Sequence, residues 1–99
     1  MATLPPLLLL RVAATLPLPG LGLLALPDGP TPYLAACELH AVLLLEAQLP
    51  DGTRQLDAAT VEEIARPETT VRGLLLDLNT TAALPPGTII WLRDLLPGR

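Results

Sequence analysis

The chain has 99 residues, hydrophobic residues make up 51% of them, and the formal net charge at pH 7 is −4. This length fits one domain, and so much apolar surface excludes a chain that stays disordered. Lysine is absent, and the six arginines are scattered along the sequence. Because nucleic-acid binders carry concentrated positive charge, this charge balance argues against a nucleic-acid partner.

Turn-forming residues and the rarity of aromatic side chains restrict the architecture further. Twelve prolines and seven glycines exclude long helices and favour short elements separated by turns. Trp91 and Tyr33 are the only aromatic residues, so aliphatic side chains must fill the core. Cys37 is the single cysteine, which excludes an intrachain disulfide and a cysteine-based metal site.

An apolar run near the N-terminus, residues 7–10, raises the question of a targeting segment. Two prolines and no basic residue precede it, and Arg11 follows it at once. A signal peptide would carry Lys or Arg before about 7–15 apolar residues, and a membrane helix needs about 18. We therefore expect a cytoplasmic protein with no membrane segment.

The first third of the chain predicts two short strands. Residues 7–14 form the first, which Pro17, Pro19 and Gly20 end, and residues 22–26 form the second. Asp28-Gly29-Pro30 is a turn signal, and the prolines at 30 and 32 are expected to keep the following residues extended.

A β-hairpin is the clearest local prediction. Residues 38–49 and 54–64 are two strand-like runs around an Asp-Gly turn at residues 50–53. Alternation along the first run predicts a core face that comprises Leu39, Ala41, Leu43, Leu45, Ala47 and Leu49. The opposite face comprises Glu38, His40, Val42, Leu44, Glu46 and Gln48. A helix over residues 58–65, capped by Asp57, is the alternative for the second run.

Two registers of this hairpin differ in what they bury. A two-residue turn places Leu45 opposite Ala58, whereas a three-residue turn places it opposite Asp57 on the core face. Burying an unpaired carboxylate costs roughly several kcal/mol, so we predict the two-residue turn. In that register Val42, Leu44 and Val61 share the outward face, and His40 lies opposite Glu63.

The remaining elements complete a barrel-sized set of strands. Residues 72–77 predict an apolar strand, residues 80–84 a helical turn capped by Asn79, and residues 88–92 a last strand after Pro-Pro-Gly. We predict an all-β fold in one domain, 1–99, with loose ends at 1–6 and 94–99. The architecture is a small closed or partly open β-barrel of six to seven strands, because closure removes exposed edges. An SH3-like barrel is the nearest alternative.

Two stretches carry a resemblance to a known family. Residues 70–92 read as a buried strand, a polar turn segment, a Pro-Pro-Gly breaker and a closing strand, and this order resembles the end of the second domain of elongation factor Tu. Residues 16–26 are similar to the opening strand pair of the same domain, with Leu21 in place of that family's arginine. The resemblance implies a stand-alone barrel of this type. It also implies a translation-associated RNA or ribosome contact as an alternative function.

The sequence offers candidate residues for protein contact and no arrangement of residues typical of catalysis. Val42, Leu44 and Val61 are apolar side chains on an outward face, which marks an interaction surface. Either residues 4–10 or a partner chain, such as a second copy, is expected to cover them. His40 is the only histidine and has no predicted nucleophile beside it, so a small hydrolase using His40 is the most remote alternative. We predict a binding module that is not an enzyme, with no catalytic, cofactor-binding or metal residues, no cofactor and no nucleotide.

Overall fold

A computed structural model describes residues 7–77 and 84–95 of the chain. Within these ranges the chain forms six strands and one short helix. Their bounds are β1 Leu7–Leu18, β2 Gly22–Pro27, α1 Pro32–Ala36, β3 Val42–Gln48, β4 Arg54–Ala65, β5 Thr70–Leu76 and β6 Ile89–Leu95.

The six strands form a closed antiparallel barrel in the order β1-β2-β5-β4-β3-β6. The predicted all-β fold with a small six- to seven-stranded barrel is confirmed. β6 closes the barrel because it pairs with β3 on one side and with β1 on the other, where Trp91 lies opposite Leu8. Where the strands pair on both sides, closure of this kind leaves no sheet edge at which another chain could pair.

An aliphatic core fills the barrel, as the scarcity of aromatic residues predicts. Its buried members within the described ranges are Leu9, Leu10, Val12, Ala25, Leu34, Leu43, Leu45, Ala47, Ala59, Val61, Leu74, Leu76, Leu84 and Ile90. Leu43, Leu45 and Ala47 show the two-residue period of a strand with one face inside.

The first strand is longer than predicted. β1 continues through Pro17, which lies opposite Leu23 of β2, and ends only at Leu18. β6 pairs with β1 no further than Arg11, so beyond that point β1 has a strand on one side only. A proline is tolerated there because its missing N–H is not needed for a second ladder.

A short helix replaces the extended segment predicted after Pro30. Pro32 occupies the beginning of α1, where its fixed φ suits a helix and its missing N–H costs nothing. The Ala35 amide donates to the Thr31 carbonyl at 2.9 Å, and Leu34 packs into the core. The prediction overlooked that proline disfavours the interior of a helix but not its first turn.

The β3–β4 register is one residue away from the predicted one. Leu45 lies opposite Asp57, so the predicted pairing with Ala58 is wrong and the three-residue turn is right. The Leu49 amide donates to the Thr53 carbonyl at 2.8 Å across that turn.

The carboxylate that argued against this register is not enclosed in the core. Asp57 lies near the beginning of β4 and is only partly buried, and its Oδ1 accepts a hydrogen bond from the Ala58 amide at 2.9 Å. The predicted desolvation cost therefore does not arise. As a consequence of the shift, Leu56 is 62% exposed on the outside while Val61 is fully buried.

The hairpin also begins later than predicted. Residues 38–41 form a turn in which the Ala41 amide donates to the Glu38 carbonyl at 3.2 Å, and β3 starts at Val42. His40 adopts a positive φ of 69°, which interrupts the alternation. Leu39, predicted on the core face, is therefore 43% exposed.

The other predicted elements have mixed outcomes. Residues 58–65 belong to β4, so the helical alternative is wrong. The helical turn predicted over residues 80–84, with its cap Asn79, lies outside the described residues except for Leu84, which is buried. β6 extends to Leu95, where a loose tail was predicted from residue 94.

Candidate interaction surfaces of the barrel

The structure separates the three residues predicted to form a partner surface. Val42 is 36% exposed and Leu44 is partly buried, and both lie on the outside of β3. Val61 has no exposed surface and belongs to the core, so its predicted outward position is wrong. The physical reason is the one-residue shift in register, because such a shift moves every side chain of a strand to its other face.

Other side chains extend the outward apolar surface around Val42. Strand pairing places Thr60 opposite Val42, Leu75 opposite Thr60, Leu24 opposite Leu75 and Leu16 opposite Leu24. We call these five residues the outer band. Neighbouring strands are about 4.8 Å apart, so the band extends roughly 19 Å around the barrel.

The outer band is partly accessible to solvent. Leu16 is 49% exposed, and Leu24, Thr60 and Leu75 are intermediate. The sequence did not reveal this row because its members are far apart in the chain. Strand order and register are needed to bring them together.

A shallow groove of about 270 Å³ lies along part of the outer band. Val42, Thr60 and Leu75 line it, together with Ala58 and the 63% exposed Leu21 of the β1–β2 turn. Of the predicted covering segment 4–10, residues 7–10 are part of β1 and do not cover the groove, and residues 4–6 lie outside the described residues. The groove is therefore open to a partner along the described chain.

A second depression, an open cleft of about 630 Å³, lies between the end of β2 and the β4–β5 hairpin. Its walls are mostly aliphatic, and Asp28 and Arg66 are its charged residues. The volume is in the range of small-ligand sites, about 300–1,000 Å³, but the lining contains no Ser, Thr, Cys, Lys or His side chain, and Asp28 is its only carboxylate.

His40 is held by a carboxylate other than the predicted one. Its Nδ1 lies 3.1 Å from Glu62 Oε1 and 3.2 Å from Oε2, whereas Glu63 was predicted opposite it. Thr60 Oγ1 donates to the same Oε2 at 2.7 Å. The hydroxyl and the imidazole thus both contact Glu62, so His40 does not stand between this hydroxyl and a carboxylate as a general base would.

The single cysteine, Cys37, directly follows α1 and ends the helix. Burial raises the pKa of the Cys37 thiol, and the nearby Arg72 guanidinium and a hydrogen bond with Tyr33 lower it in part. Arg72 Nη1 also donates to the carbonyls of Leu34 and Cys37, at 3.3 and 2.9 Å. Arg72 therefore attaches the end of α1 to β5, and this thiol is less acidic than an ordinary one.

The described ranges contain neither a cluster of metal-binding side chains nor a membrane-spanning helix. Residues 7–77 and 84–95 contain no group of three or more His, Cys, Asp or Glu side chains that could hold a metal ion. No helix in these ranges has the length and apolarity needed to cross a membrane.

Comparison with known proteins gives no relative. The chain matches no protein-family model, no curated protein and no solved structure. The resemblance to the second domain of elongation factor Tu therefore stays a prediction.

Proposed function

We propose that this chain is a protein-binding module whose outer band docks a partner protein. The observation that carries the proposal is the row of four aliphatic side chains and one threonine, all at least partly exposed, across five neighbouring strands. Contiguous exposed apolar surface is a marker of interaction sites on soluble domains. The occupant is either another protein or a second copy of this chain.

The chemistry of the outer band favours a protein over a charged ligand. Its members are four aliphatic residues and one threonine, and no arginine belongs to it. The row lies on a hydrogen-bonded wall, so a partner would meet a surface that is already rigid. Rigid docking surfaces lose less conformational entropy on binding. The proposed role is non-enzymatic and involves no cofactor, nucleotide or metal.

Light scattering combined with affinity capture tests this proposal. Val42→Glu places a charge in the band, and Leu39→Glu is the matched control because Leu39 is also an exposed aliphatic residue but lies outside the band. If the partner is a second copy, the wild type and the control self-associate and Val42→Glu is monomeric. If it is another protein, a host protein is retained by the wild type and the control and is lost with Val42→Glu.

One combination of results would refute the proposal that the outer band binds a partner. A monomeric wild type whose captured proteins are the same as those of Val42→Glu would mean that the outer band is not used. Thermal unfolding of all three proteins has to accompany the comparison, because a lost interaction counts only if the variant remains folded.

A further inference from the structure

The barrel wall around β6, the one strand that the outer band does not include, gathers an aromatic side chain and several charged ones. Strand pairing across β1, β6, β3 and β4 places Leu8, Trp91, Glu46 and Leu56 in one row. Leu8 is 49% exposed, Leu56 is 62% exposed and Trp91 is partly buried. Glu46 and Trp91 follow the buried Leu45 and Ile90, and the exposed fractions of Leu8 and Leu56 likewise place their side chains on the outside of the barrel.

The next row on the same wall begins and ends with an arginine. Pairing places Arg11 opposite Ile89, Ile89 opposite Gln48 and Gln48 opposite Arg54. Arg93 joins the surface at a register shift of β6, where its Nη1 lies 3.1 Å from Glu46 Oε1. We call the two rows and Arg93 the Trp91 face.

The Trp91 face reverses the charge of the chain. The two rows and Arg93 contain three of the six arginines and one glutamate, a net +2, and the exposed Asp94 of β6 lies at their border. Since the whole chain carries −4, the rest of it carries −6. The sequence gives no sign of this cluster, because Arg11, Arg54 and Arg93 are about forty residues apart in the chain and only the barrel closure joins them.

The arginines on this face have hydrogen-bonding capacity left over. Arg54 and Arg93 share the carboxylate of Glu46, each at 3.1 Å, and their side chains are 60% and 54% exposed. A guanidinium has five N–H donors, so each keeps most of them for a ligand. Glu46 is only 13% exposed and therefore serves to orient the two arginines.

Trp91 provides a fixed apolar centre between these charges. Its Nε1 donates to Gln48 Oε1 at 3.1 Å, which fixes the orientation of the indole on the wall. Leu8 lies directly beside it in the row. Tryptophan and arginine are the residue types most enriched among side chains that dominate binding energy at protein interfaces.

We propose that the Trp91 face binds an acidic segment of a partner protein, with an apolar side chain packed on Trp91 and Leu8 and carboxylates at Arg11 and Arg54. The charge of the face is complementary to such a segment, and arginine recognises carboxylates with paired N–H donors. A nucleic acid fits less well, since Glu46 lies among the arginines and the remaining −6 of the chain repels a polyanion. This face is separate from the outer band, so the two proposals can fail independently.

A fluorescent peptide provides the test. The probe is a short fluorescein-labelled peptide in which glutamate alternates with leucine, and its control replaces every glutamate with glutamine. Trp91 is the only tryptophan, so its emission reports on this face directly. We expect the glutamate peptide to bind, to change the Trp91 emission, and to weaken with added salt, whereas the glutamine peptide binds at least severalfold more weakly.

Two variants test whether the glutamate peptide binds at the Trp91 face. The double variant Arg11→Gln, Arg54→Gln should weaken binding by roughly three- to tenfold, as expected for two exposed ion pairs. Arg66→Gln is the matched control, since Arg66 is exposed and lines the other cleft, and it should bind like the wild type.

Four results would overturn the proposal. The glutamate peptide does not bind at about millimolar concentration, or the two peptides bind equally well. The double variant binds the glutamate peptide as tightly as the wild type does, or a single-stranded oligouridine binds more tightly than the peptide. If the Trp91 emission changes when the protein alone is diluted, the Trp91 face contacts a second copy of the chain, and this result would overturn the proposal as well. The two peptides are compared on the wild type, so this part of the test does not depend on how a variant folds.

Discussion

The register of the β3–β4 hairpin can be tested by shortening two side chains of β4. Val61→Ala removes two methyl groups from a side chain with no exposed surface. Each buried carbon contributes about 0.8 kcal/mol, and the remaining cavity adds to the loss, so we expect the free energy of unfolding to fall by about 2–3 kcal/mol. Leu56→Ala removes more carbon atoms, but Leu56 is 62% exposed, and the expected loss is below about 1 kcal/mol.

Urea unfolding followed by Trp91 emission and far-ultraviolet circular dichroism measures both losses. The midpoint should shift clearly for Val61→Ala and little for Leu56→Ala, with the same slope in each case. In the two-residue-turn register the positions are exchanged, since Leu56 would lie opposite Ala47 inside the barrel. A larger loss for Leu56→Ala than for Val61→Ala would therefore refute the observed register.

Three further predictions concern the backbone and two titrating groups. Gly22→Ala should lower the free energy of unfolding by roughly 2 kcal/mol or more, because Gly22 has a φ of 144° and an added Cβ would collide with a carbonyl of β5. Gly29→Ala is the control in the same thermal melts and should be nearly neutral, because Gly29 faces open space. A hydrogen bond from the Thr53 amide lowers the pKa of Asp51. The ionised Asp51 carboxylate therefore stabilises the folded state fully above its unfolded pKa of about 3.9, and this stabilisation is lost as the pH falls through the folded pKa. The melting temperatures of the wild type and Asp51→Ala, measured at several pH values, should differ less below about pH 4 than above it. A difference in melting temperature that stays the same at every pH would contradict this prediction. Burial raises the pKa of Cys37, so a disulfide reagent at pH 7 should modify it more slowly than a free thiol, with equal rates speaking against that pKa shift.

The sequence was sufficient for the fold class because its strongest signals are local. The Asp-Gly turn, the alternation along β3 and the scarcity of aromatic residues predict strands and an aliphatic core without knowledge of distant contacts. The register was missed because the two alternatives differ in the environment of one side chain, Asp57. Asp57 is only partly buried near the beginning of β4, and that exposure depends on contacts between distant strands, which no local pattern contains.

The candidate surfaces were less predictable than the fold. Val42 and Leu44 follow from alternation on β3, and the structure keeps both on the outside. Val61 was misplaced together with the register. The outer band and the Trp91 face join residues from four or five strands, and such neighbours appear only after the strand order and the closure by β6 are known.

Photo-cross-linking in the cells of origin tests most directly the claim that this barrel works by docking a protein on its outer wall. A benzophenone-bearing residue is placed at Val42, in the outer band, and in a separate protein at the exposed Glu68 of the β4–β5 turn. We predict a discrete protein adduct from the first position and none from the second. The absence of any adduct at position 42, or the same adducts from both positions, would contradict the account.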